Sequence, residues 1–106
     1  MALVTVMTAD VIASRTRGDV GPFLAGRLVH LKHPMLLTPF TVSRGDEIQG
    51  LCHGSLGAPE IVRTLRYHCR PLSLRLGIGI GQGPAAGAAS SWELNGEAFF
   101  RAREAL

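Results

Sequence analysis

The sequence predicts an α+β fold, a single four-stranded antiparallel sheet with helices packed against it. Three observations predict it. Apolar, β-rich stretches recur at the start of the chain, between residues 35 and 53, and at 72–80. Two stretches between them carry apolar residues at helical spacing. The order is therefore strand, helix, strand, strand, helix, strand, with one more helical stretch at the end.

Leu3 to Ala9 read as a buried central strand closed by Asp10. From Asp19 to His33, Val20, Phe23, Leu24, Leu28 and Leu31 make one apolar stripe. Asp19 is placed to cap that helix, Pro22 is tolerated in its first turn, and Pro34 stops it. Met35 to Ser43 form a second strand, and Pro39 assigns it to an edge because it lacks a donor. Arg44-Gly45-Asp46 is the corner into a third strand, Glu47 to His53. Ala58, Ile61, Val62, Leu65 and Cys69 form the second helical stripe, ended by Pro71. In the fourth strand Leu72, Leu74, Leu76, Ile78 and Ile80 point one way. Ser73, Arg75, Gly77 and Gly79 point the other, which predicts a bare face opposite the helices. "GQGPAAGAASS" is a flexible loop. The last helix passes through Ala98, Phe99, Ala102 and Leu106 without a C-cap, which reads as a domain boundary.

Right-handed crossovers turn this order into a ferredoxin-like βαββαβ sheet, order 4-1-3-2, with an additional C-terminal helix. Residues 1–106 make one domain. Strand 1 is central and antiparallel to strand 3, so Asp10 comes beside Asp46 and Glu47. Glu47, Gln49 and Arg75 share the open face. That face and the strand 4 glycines suggest a homodimer.

Composition narrows the function classes. Apolar residues make up 46% of the chain, which fits a packed globule. No apolar run approaches the roughly 18–20 residues of a membrane span. "MALVTVMTAD" lacks the basic start of a signal peptide, so a cytoplasmic location is expected. Cys52 and Cys69 form no CxxC pair. The net charge of +3 comes from ten arginines and one lysine, Lys32. These are scattered without interleaved aromatics, which argues against nucleic-acid binding. The four histidines lack zinc spacing, and no nucleophilic triad can be drawn.

Two carboxylates at adjacent strand ends, Asp10 and Asp46, are the donor type that holds Mg²⁺ or Mn²⁺. Gly45, without a side chain, lets backbone approach a phosphate. Arg15 could grip that phosphate with both arms of its guanidinium. Glu47, Gln49 and Arg75 would stand behind these groups. The plainer alternatives stay open: Asp46 as a hairpin turn residue, Asp10 as a cap, and each arginine as a surface residue. The glycines at 77, 79 and 81 lie inside a strand and open no helix, so they read as room for close packing.

"TADVIASR" (8–15), "FTVSRGDEIQGL" (40–51), "LRLGIGIGQG" (74–83) and "LNGEAFFRAREAL" (94–106) together resemble the SatD family, small bacterial proteins linked to acid and stress operons. Such sequences in turn resemble the palm of class III nucleotidyl cyclases and of GGDEF-type diguanylate cyclases. The resemblance implies a nucleotide-cyclase palm with metal ligands at Asp10 and Asp46, and a nucleotide as partner. Those cyclases continue with a helix whose Asn and Arg orient ribose and phosphate. Here Phe100 stands in the place of that Asn, and Arg103 lies one position before the Arg. The resemblance thus implies metal and phosphate binding at Asp10, Asp46, Arg15, Gly45 and Arg103, and argues against cyclisation. A non-catalytic regulatory module built on the same palm is the alternative.

Overall fold

The computed structural model describes residues 2–12, 20–43, 46–83 and 96–106. The elements are β1 (Ala2–Val11), α1 (Gly21–Leu28), β2 (Leu36–Ser43), β3 (Glu47–His53), α2 (Ala58–His68), β4 (Leu74–Gly83) and α3 (Glu97–Ala105). The sheet runs β2-β3-β1-β4, every neighbouring pair antiparallel. This is the expected order, with β2 and β4 as edges. Pro39 does sit on an edge strand, beside an irregularity in the β2–β3 register.

β1 is buried on both faces from Val4 to Ala9, because helices cover both faces of the sheet. Met7, Ala9 and Val11 point into one core with Leu24 and Leu28 of α1 and Ile61 and Leu65 of α2. Val4 and Val6 point into a second core with Leu51, Ala98, Phe99 and Ala102. The face expected to be bare is therefore covered by α3. The glycines explain how. A Cβ on Gly79 would run into the carbonyl of Ala98, and one on Gly77 into that of Ala102. Without side chains, α3 lies directly on the β4 backbone.

Three boundaries differ from expectation. β1 continues through Asp10 to Val11, because Asp10 still pairs with both Glu47 and Arg75. β4 starts at Leu74 and runs to Gly83, held by its pairing with Ala2, Leu3 and Val4. α1 stops at Leu28, yet Leu31 remains buried through a turn. The apolar face of β4 is also only partly used. Leu74 is buried, but Ile78 and Ile80 are each 39% exposed, since α1 and α2 do not extend over that end. Asp19 and most of the "GQGPAAGAASS" loop lie outside the described residues. No helix among the described residues is long and apolar enough to cross a membrane.

Candidate metal and phosphate site

The α3 face of the sheet changes character along its length. Under α3 it is apolar, with Val4, Val6 and Leu51. One step further along lie Thr8 and Gln49, opposite each other and buried. The last step is a charged row, Glu47 on β3, Asp10 on β1 and Arg75 on β4. Residues opposite each other in antiparallel strands point to the same face, so these three side chains are neighbours. α3 ends above Gly77, where Leu106 meets the strand. The charged row lies beyond that end and stays open to solvent.

Asp10 is central to the row. Nη2 of Arg75 donates to its Oδ2 at 3.2 Å, with the Asp10 side chain 25% and the Arg75 side chain 64% exposed. An ion pair this open stabilises the fold by no more than about 1 kcal/mol. On the other side stands Glu47, a like charge. Asp46 immediately precedes Glu47 in the corner that joins β2 to β3, is half-buried, and has an interaction partner of its own. Thr41 pairs with Gln49 and Ser43 with Glu47, which adds hydroxyl groups to the same face. Gln49 makes an interaction too, although its Nε2 meets no acceptor among the described residues.

Of the residues singled out in the sequence, Asp10, Glu47, Gln49 and Arg75 share this end of one face, with Asp46 at its corner. Arg15 and Gly45 lie outside the described residues. Arg103 is exposed on α3, whose C-terminal turn comes closest to this end of the sheet. Thr8, Thr41 and Ser43 were missed; period-two spacing from Asp10 points to Thr8, whereas Thr41 and Ser43 join the face through the β2–β3 register. An apolar cavity of about 870 Å³ opens elsewhere, between α1 and β2, lined by Leu28, Val29, Leu36 and Phe40 among others. None of the carboxylates of the row lines it.

The donor chemistry is that of a hard cation: carboxylate and hydroxyl oxygens without sulfur. Cys52 and Cys69 belong to the other core, where burial pushes their thiols up to about 12 and about 11. His33 is held by Glu60 at 3.4 Å and by the Met35 N–H, away from the row. Among the described residues no three His, Cys, Asp or Glu side chains converge tightly enough to cage a metal. One or two carboxylates completed by water and ligand phosphates is the arrangement Mg²⁺ prefers, and the row fits that arrangement rather than a closed cage.

The SatD family model matches residues 24–106, more than three-quarters of the sequence. The chain belongs to the SatD family. The matched part of this SatD chain holds the β2–β3 corner, β4 and α3 but not Asp10. No curated protein matches it. Among solved structures, the chain is similar to the X-ray structure of an EAL/GGDEF domain protein from M. capsulatus. The TM-score is 0.67 at 15% identity, over 97% of this chain and 75% of that one. At that identity the likeness concerns the fold, and it gives the SatD chain a fold like that of this EAL/GGDEF domain protein, over a span that includes β1.

Proposed function

We propose that this SatD domain binds a divalent cation, Mg²⁺ or Mn²⁺, together with a nucleotide or other phosphate ligand at the outer end of the α3 face. The observation that carries the reading is the register that sets Asp10 directly opposite Glu47, one residue from Asp46. In this reading Asp10 and Asp46 hold the cation, and Glu47 supports it. Arg15, Gly45 and Arg103 approach the phosphates. The bound cation would supply positive charge to offset phosphate oxygens. Phe100 is 63% exposed and offers no hydrogen bond where cyclases have Asn, so little or no cyclic nucleotide should form. The domain acts in the cytoplasm.

The test is thermal unfolding with and without Mn²⁺ and a nucleoside triphosphate. A ligand at a hundredfold excess over its Kd stabilises by about 2.7 kcal/mol, which should raise Tm by several degrees in a domain of this size. Asp46→Asn should abolish the Mn²⁺-dependent rise while the metal-free protein stays folded. A wild-type curve indifferent to millimolar Mn²⁺ and triphosphate would reject ligand binding.

A second reading, a non-catalytic stress-regulatory module that pairs with a copy of itself, draws on other observations. Asp10 already has a counterion in Arg75, and Leu3, Ile78 and Ile80 are exposed beside the β4 edge. The strand 4 glycines cannot serve that contact, since α3 occupies them. Light scattering that gives a monomer at high micromolar concentration would count against it.

A further inference from the structure

Resting on the metal and phosphate reading, we propose that Arg75 is a further phosphate-gripping residue of the site beside Arg15, Gly45 and Arg103, held by Asp10 until a cation takes that carboxylate. Arg75 stands across from Asp10 on the side away from Glu47. One of its terminal nitrogens is engaged, on Asp10 Oδ2. That oxygen is the one a divalent cation on Asp10 would compete for. A guanidinium and a divalent cation a few Å apart repel, and the flexible arginine is the one free to move.

Where it moves is constrained. On the inner side, Gly77 is capped by the last turn of α3, with Leu106 against it, so the side chain cannot swing under the helix. It stays at the outer rim beside Asp10, with its planar fork free for two phosphate oxygens. Other arginines near this strand have duties that a cation would not release. Arg101 holds Glu97 at 3.0 Å and the Ile80 carbonyl at 2.7 Å. Arg66 holds the Leu74 carbonyl at 3.0 Å. Arg75 alone among these three has a partner that the cation itself would take. Cation and phosphate binding are thereby coupled: the first frees a group that recognises the second.

The experiment titrates the full chain with Mn²⁺, reading free Mn²⁺ by its electron paramagnetic resonance signal, and then adds inorganic triphosphate at saturating Mn²⁺. Arg75→Gln should bind Mn²⁺ alone about two- to fivefold more tightly, because a competing surface ion pair is gone. It should bind triphosphate at least about tenfold more weakly, the cost of losing charge-assisted hydrogen bonds. Arg75→Lys keeps the charge but not the fork, so Mn²⁺ affinity should return to the wild-type value and triphosphate affinity fall between the two. Circular dichroism melts establish that each variant is folded. If Arg75→Gln leaves either affinity unchanged, Arg75 is a surface counterion and the proposal is wrong while metal binding stands. If neither wild type nor Arg75→Gln depletes the free Mn²⁺ signal, the metal reading fails and takes this one with it.

Discussion

Glycines of the same formal type carry opposite duties in this molecule. Gly26 sits inside α1 with nothing within 4 Å of the place a Cβ would occupy. Gly79 has the α3 backbone in that place. Gly26→Ala should stabilise the domain by about 0.5–1 kcal/mol, the difference in helix propensity. Gly79→Ala forces α3 off the strand and should destabilise by about 1–3 kcal/mol or more. Urea unfolding of the two variants checks both signs, and a Gly79→Ala protein of wild-type stability would contradict the backbone-on-backbone contact. In the sequence Gly77, Gly79 and Gly81 read as room for close packing. The sequence could not say what packs there, because a missing side chain records a space and not its occupant.

At the scale of elements, α3 joins the fold through one narrow stripe. Phe99 is 4% exposed and its neighbour Phe100 is 63% exposed. Phe99→Ala should cost about 3–5 kcal/mol, as emptying a core aromatic site does, and Phe100→Ala close to nothing; chemical denaturation of the pair measures the difference. The bounds of β3 and the helical stripes were legible because period and turn chemistry are local. The covered face was not. Alternation tells which residues share a face, while the length of a helix and its place along that face depend on packing. The same reason hid the exposure of Ile78 and Ile80. The site was half legible. Chain order and right-handed crossovers bring Asp10 to the β2–β3 corner. The Arg75 contact needed the register of β4, and a strand with glycines along one face has no apolar pattern there to fix it.

For the molecule as a whole, the charged row is assembled from three strands. The β2–β3 corner closes locally, but β1 meets β3 and β4 across long stretches of chain, and pairings of that kind make folding slow. A chain with only the corner formed presents Asp46 and Glu47 without Asp10 or Arg75. The cation and phosphate proposed for the completed row would have nothing to grip while the sheet is still being put together. Such a ligand would act on the lifetime of the native protein and leave the speed of its formation untouched: a molecule that met its ligand late would be protected from unfolding and would get no help in folding.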